Sequence, residues 1–179
     1  MKGIVFALLE DAVSRTYSEN AWDDLLDRAG LDGVYTSLGN YPDGHLASLV
    51  AAASDVTGND PQAIIRWFGR ESIPRLAAAY PAFFEPHQDV GAFLRTLNEI
   101  IHPEVRKLYP GADVPTFGFS TLADGTIVMR YGSPRQLCSF AEGLIEGAAA
   151  HYRQAVRIDQ PACMRRGDEL CTIEVRIGD

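Results

Sequence analysis

The feature that most constrains this chain is a change of hydrophobic period at Tyr109-Pro110-Gly111. Before it, apolar residues recur three and four apart, the spacing of one helix face; after it they alternate in short runs bounded by turn residues, the spacing of strands. The first part reads as helices over 3–17, 20–29 (stopped by Gly30) and 44–57 (stopped near Gly58), with a Gly/Asp/Asn-rich loop over 30–42. Asp60-Pro61 is an N-cap followed by a first-turn proline and opens a helix through Phe68. A separate short helix is expected over 71–79, a loop over 80–89, and a last helix over 90–108 carrying Phe93, Leu94, Leu97, Ile101, Val105 and Leu108. The second part reads as strands at 114–122 and 126–131, joined at Ala123-Asp124-Gly125 as a hairpin. A helix over 134–152 follows, then strands at 155–159 and 170–177 around a turn at Arg166-Gly167-Asp168. Helices first, then hairpins around one helix, imply an α+β fold with a four-stranded antiparallel sheet.

With 179 residues, the chain is expected to be one domain, 1–179, with a helical part over about 1–60 and a mixed part over about 61–179. A net charge of −8 argues against nucleic acid or an anionic membrane as partner. The apolar run at residues 4–9 is stopped by Glu10-Asp11. It is too short for a membrane span and lacks a signal-peptide cleavage pattern, so a cytoplasmic protein is expected. Three cysteines do not suit a secreted disulfide framework.

Within the second part, Tyr131, Ser133 and Arg135 stand at period two in Met129-Arg130-Tyr131-Gly132-Ser133-Pro134-Arg135. An extended chain would turn a phenol, a hydroxyl and a guanidinium to one side, a donor surface suited to a carboxylate or phosphate. Ser133-Pro134 also reads as the N-cap and first residue of the following helix, whose N-terminus attracts anions. Plainer roles fit the same residues: Ser133-x-x-Gln136 as a capping box, Arg135 paired with an Asp or Glu, Tyr131 as a half-buried strand residue. A second point of interest is His102, because Pro103 cannot donate to the carbonyl of Glu99 and should break the helix beside it. No Ser-His-Asp arrangement, P-loop or dinucleotide fingerprint stands out, so the chain is not expected to be an enzyme.

Tyr131-x-Ser133-x-Arg135 resembles the signature of the H-NOX family, the haem nitric oxide/oxygen-binding domains. The likeness extends to Met1-Lys2-Gly3-Ile4-Val5-Phe6, to Ile101-His102-Pro103-Glu104-Val105-Arg106-Lys107-Leu108-Tyr109, to Pro115, and to Leu144-Ile145-Glu146-Gly147. It covers essentially the whole chain. The resemblance implies a helical lobe and a mixed lobe with haem b between them, His102 as the iron ligand, and Tyr131, Ser133 and Arg135 on the propionates. It also implies that Pro115 presses on the porphyrin. With no Cys-x-x-Cys-His, the haem would be held non-covalently.

In oxygen-binding members a tyrosine on the helix after the triad faces bound O₂; the corresponding residue here is Phe140. Val5, Leu9 and Leu144 would line the same pocket and also lack a hydroxyl. The resemblance therefore implies a sensor that binds NO and CO but not O₂ at five-coordinate ferrous haem. It would signal in trans to a histidine kinase or diguanylate cyclase.

Some members of the family hold zinc with three cysteines and a histidine, and Cys138, Cys163 and Cys171 match the cysteines. Gln160 stands in the histidine's place, and an amide is a poor zinc ligand. His151 lies thirteen residues from Cys138 along one expected helix, about 20 Å at 1.5 Å rise per residue. Asp159, Asp168 or Glu169 would have to complete a zinc site. Three free thiols and a Cys163–Cys171 disulfide are the alternatives. A cysteine or zinc redox sensor with haem secondary is the competing functional reading.

Overall fold

The computed structural model describes residues 1–178. The helical part opens with α1 (Gly3–Thr16), α2 (Glu19–Ala29), α3 (Asp43–Thr57) and α4 (Pro61–Ala79). Local chemistry sets the starts of two of them. Ser18 Oγ accepts the N–H of Ala21 ahead of α2, and Asp60 accepts those of Gln62 and Ala63 ahead of α4, with Pro61 supplying a preset φ. α2 ends where Gly30 turns left-handed at φ 66°.

The helices expected over 60–68 and 71–79 are one. Pro74 lies inside α4, and its missing N–H does not end the helix because the turns before it are buried: Phe68 and Ile73 are 1% and 3% exposed. Packing here outweighs the proline penalty of about 3 kcal/mol. The loop expected over 80–89 contains a short helix, α5 (Pro81–Phe84).

The helix expected over 90–108 divides into α6 (Val90–Arg95), a π-helical turn (Leu97–Ile101) and α7 (His102–Leu108). The break anticipated at Pro103 takes the form of this π turn. The N–H groups of Ile101 and His102 bond five residues back, to Thr96 and Leu97. Widening the turn upstream of Pro103 accommodates a residue that cannot continue an α ladder.

Strands β1 (Thr116–Thr121) and β2 (Ile127–Gly132) form the expected hairpin, with Gly125 at φ 85° and Asp124 Oδ1 accepting from Thr126 N–H. After α8 (Cys138–His151) come β3 (Val156–Ala162) and β4 (Cys171–Ile177). All pairings are antiparallel, in the order β1-β2-β4-β3. Alternate residues Ile127, Met129 and Tyr131 on β2, and Cys171, Ile173 and Val175 on β4, are buried, so one sheet face carries the core.

α8 begins four residues later than expected. Ser133 and Pro134 open a turn closed by Gln136 N–H on Ser133 C=O, with Gln136 at φ 51°. Proline's φ suits the second position of a turn as well as the first turn of a helix, and here the turn wins. Ser133 is therefore not a helix cap.

Two apolar clusters result. One gathers α1, α2 and α3 with the first half of α4. The other gathers the rest of α4, α5, α6, α8 and the sheet. Between α4 and α8 the backbones nearly touch: a Cβ on Gly143 would lie 1.9 Å from the Arg66 carbonyl oxygen, and one on Gly69 2.3 Å from that of Phe140. Arg66 seals this contact by donating to Glu142 (2.9 Å) and Glu146 (2.7 Å). Among the described residues no helix is long and apolar enough to cross a membrane.

Candidate functional site

A cavity of about 360 Å³ lies between the two clusters. Val5 and Leu8 of α1, Phe68 and Ile73 of α4, and Phe140 and Leu144 of α8 line it. Facing contributions come from α6, the π turn and α7 through Phe93, Leu97, His102 and Val105, and from the segment carrying Pro115. Tyr131, Ser133 and Arg135 line it too. The fold thus brings together residues spread over most of the chain. Leu9 does not line the cavity. It is buried in the helical cluster, and Leu8 stands at the wall instead, three residues from Val5 and so on the same face of α1.

His102 is the first residue of α7, directly after the π turn. Its ring stacks on Phe117 of β1, centroids 5.6 Å apart at 27°. Asn98, inside the π turn, donates to the Phe117 carbonyl at 2.6 Å and ties the turn to the sheet edge. Burial, with the Arg106 charge adding to it, pulls the imidazole down to about 4. At neutral pH the ring is uncharged and offers a nitrogen lone pair, the form that ligates iron. The far end of α7 is held by a hydrogen bond between the Tyr109 and Tyr80 hydroxyls.

The polar end of the cavity is built from the three residues at period two. Tyr131 and Ser133 are 2% and 9% exposed. Tyr131 Oη accepts the N–H of Leu137 at 3.1 Å, just before α8, and Ser133 Oγ accepts that of Arg135 at 3.3 Å. Each hydroxyl accepts a main-chain N–H and also carries a proton of its own, so each can act as a donor. Arg135 Nε meets Asp43 at 2.8 Å, and Nη1 meets the carbonyl and carboxylate of Asp113, both at 2.9 Å. Nη2 makes no hydrogen bond among the described residues. Asp43 also pairs with the α-amino group of Met1 at 2.8 Å. Burial opposes its ionisation, but that ammonium and Arg135 prevail and hold its carboxyl below the usual range.

The carboxylate partners anticipated for Arg135 are therefore present, and they hold the guanidinium while leaving a donor edge uncommitted. Sequence reasoning missed Asp43 and Asp113. They stand 92 and 22 residues from Arg135, with no local pattern to link them.

Opposite His102 along the cavity, the Phe140 ring leans on Phe68, centroids 4.8 Å apart. Val5 and Leu144 add aliphatic wall. These side chains supply no hydrogen-bond donor. A flat apolar macrocycle with two carboxylates suits this cavity: it has apolar walls, one neutral imidazole on the side of α7, and a cluster of donors at one end.

The cysteines form a second constellation. Their three sulfurs lie within 4.8 Å of one another, all three residues buried. Cys138 and Cys163 sulfurs are 3.7 Å apart, Cys163 and Cys171 4.0 Å. All three are free, so no Cys163–Cys171 disulfide is formed. Among the described residues no histidine or carboxylate joins the group. Asp168 is committed to the Cys163 N–H at 2.7 Å, and Asp159 to Arg176 and Arg157. The Gln160 carboxamide lies beside Cys138 instead. A closed four-ligand zinc site does not fit this donor set.

A family model described as haem-NO-binding matches residues 2–160. An H-NOX protein from S. oneidensis in its Fe(II)NO state is 32% identical, with each chain wholly covered and a TM-score of 0.93. The IWP-051-bound H-NOX from Shewanella woodyi in the Fe(II)CO state is 30% identical over 98% of this chain and 93% of that one, TM-score 0.82. An unliganded Fe(II) H-NOX protein from K. algicida is 25% identical over 100% and 97%, TM-score 0.88.

Proposed function

Because the chain belongs to the haem-NO-binding (H-NOX) family of haem-based gas sensors, we propose that it binds one haem b through His102. It senses NO, also takes CO, and does not hold O₂. The observation that carries this reading is the pairing, in one apolar cavity, of a neutral, half-buried imidazole with a cluster of three donor side chains. The haem, when bound, supplies the iron coordination position at which a diatomic gas binds.

The residues of the chain do the rest. His102 Nε2 or Nδ1 serves as protein ligand, aimed by the Phe117 stack and the Asn98 tether. Arg135 Nη2 and the Tyr131 and Ser133 hydroxyls hold the propionates through charge-assisted hydrogen bonds. Pro115, a rigid ring on the cavity wall, would bear on a bound macrocycle. Phe140, Val5 and Leu144 keep the gas side free of donors. Bound O₂ is polar and needs a donor for a stable complex, whereas NO and CO do not. Signalling passes by contact to a histidine kinase or diguanylate cyclase, since the chain is read as a sensor without a catalytic step of its own. The competing reading, a zinc redox sensor with haem secondary, lacks a fourth zinc ligand.

The visible spectrum of the anaerobically reduced protein tests the reading. Adding CO and NO should shift the Soret band stoichiometrically, and air should produce no lasting oxy form. Phe140→Tyr places a hydroxyl in the wall and should raise O₂ affinity. A long-lived oxy spectrum in the unaltered protein would overturn the selectivity. Unchanged haem content in His102→Gly, without added imidazole, would overturn the ligand.

A further inference from the structure

The fourth corner of the cysteine cluster is what sets this chain apart from a zinc site. At a metal–sulfur distance of ~2.3 Å, sulfurs around a tetrahedral ion lie ~3.8 Å apart, and around a trigonal ion ~4.0 Å. Two of the separations, 3.7 and 4.0 Å, suit either geometry and the third lies within 4.8 Å, so the sulfurs are gathered as for an ion without deciding its coordination number. The surroundings decide it. The three cysteines are 1%, 4% and 0% exposed, which leaves no open side for a water to complete a tetrahedron. The Gln160 carboxamide stands beside Cys138. Its Nε2 is buried without a hydrogen-bond partner, in contact range of Cys138, and an N–H donor is paid back only by an electron-rich acceptor such as a thiolate. The Met164 N–H already points at the Cys171 sulfur, 3.3 Å away.

Soft thiolates select thiophilic ions. Zinc asks for a fourth strong ligand in a structural site, whereas a monovalent d¹⁰ ion accepts three. We propose that Cys138, Cys163 and Cys171 form a three-coordinate site for a monovalent thiophilic cation of the Cu(I) class, with Gln160 donating to the metal-bound sulfur rather than ligating. Binding replaces thiol protons with the ion, and the protons leave to solvent. The site lies against the polar end of the cavity: Cys171 is the register partner of Tyr131, and Cys138 follows Leu137, whose N–H Tyr131 accepts. It is nonetheless separate from the gas site in its ligands.

The experiment is a pair of titrations on the haem-loaded, anaerobically reduced protein. In one, Cu(I) is shared with a chromogenic Cu(I) chelator; in the other, Zn(II) is shared with a zinc chelator. One Cu(I) per chain should be retained, with a sulfur-to-copper absorption in the near ultraviolet and protection of all three thiols from alkylation. Zinc should be surrendered to the chelator. Cys163→Ser should weaken Cu(I) by more than the ~10–100-fold that an outer partner contributes. Gln160→His should convert the cluster into one that keeps zinc, and the Soret band reports folding in both variants. The proposal is overturned if the unaltered protein keeps one zinc against the chelator, if it retains no Cu(I), or if Gln160→His leaves the zinc titration unchanged.

Discussion

Gly143→Ala is the sharpest mechanical test of the cavity wall. The added Cβ would meet the Arg66 carbonyl oxygen at 1.9 Å, and the Arg66 carbonyl carbon and Arg70 nitrogen at 2.9 Å. All three are backbone atoms, so no side chain can swing away. An ordinary C···O contact is about 3.3 Å, so α4 and α8 must part by roughly 1.4 Å. A gap of even 0.5–1 Å forfeits about a quarter to a half of each dispersion contact along the seam. Overpacking of this kind typically costs about 1–3 kcal/mol. With a backbone obstacle the upper end applies, less about 0.5–1 kcal/mol from the helix preference of alanine. The net loss should be about 2–2.5 kcal/mol, or roughly 4–10 °C in Tm for a chain of this size.

Urea unfolding and thermal scans of the haem-loaded protein measure it. CO rebinding should change in parallel, because Phe68 on α4 and Phe140 and Leu144 on α8 share the displaced wall. Gly44→Ala is the matched control. It lies in α3 with nothing within 4 Å of its added Cβ, and should stabilise by about 0.5 kcal/mol. A Gly143→Ala protein within about 0.5 kcal/mol of the unaltered one would refute the close approach, the figure being the usual bound for a substitution that disturbs nothing.

Haem-free protein should lose stability on acidification through His102. Its folded imidazole takes a proton only near pH 4 and the unfolded one near pH 6.5, so the unfolded state binds more protons in between. The loss therefore develops as pH falls from about 7 to about 4 and amounts to at most about 3 kcal/mol. His102→Leu should remove that part of the slope, and equal urea-midpoint slopes in the two proteins would contradict it. Arg135→Ala should speed haem release about 10-fold to 100-fold, from the loss of charged hydrogen bonds worth about 1.5–3 kcal/mol each, and Ser133→Ala by less than 10-fold. Haem transfer to apomyoglobin measures both, and the reverse order would show that the turn at Ser133, rather than anion binding, governs retention.

The helices of the first part and the sheet of the second were legible because both are governed by period. β2 and β4 alternate buried and less buried residues, and Asp60-Pro61 starts a helix as its chemistry requires. Where two structures share one local preference, the sequence could not choose. Proline at 134 serves a turn or a helix start equally, and only the Tyr131 hydroxyl, arriving from the strand to accept the Leu137 N–H, delays α8 to Cys138. Two helices are expected on either side of Gly69-Arg70 because the burial that joins them into α4 carries no local signal. The same holds at the site. His102, Phe140 and the period-two residues stood out by family likeness, and Leu9 was placed on the wall in the position that Leu8 holds. The carboxylates that hold Arg135 carry no signal at their distance.

The π turn has a further consequence, in the arithmetic of insertions and deletions. A π turn is an α-helix holding one residue more than its ladder needs. Asn98, Glu99 and Ile100 are exposed, and on a surface helix such residues ordinarily tolerate substitution well. Loss of a single residue there is a different matter. It would restore the α ladder and rotate everything from His102 onward by about 100° against α6, the angle of one residue at 3.6 per turn, carrying the imidazole off the cavity. The same deletion would set Pro103 back into a ladder it cannot join. Apart from Asn98, which holds the Phe117 carbonyl, this stretch is thus free in composition and fixed in length, and the length of the turn keeps His102 facing the cavity.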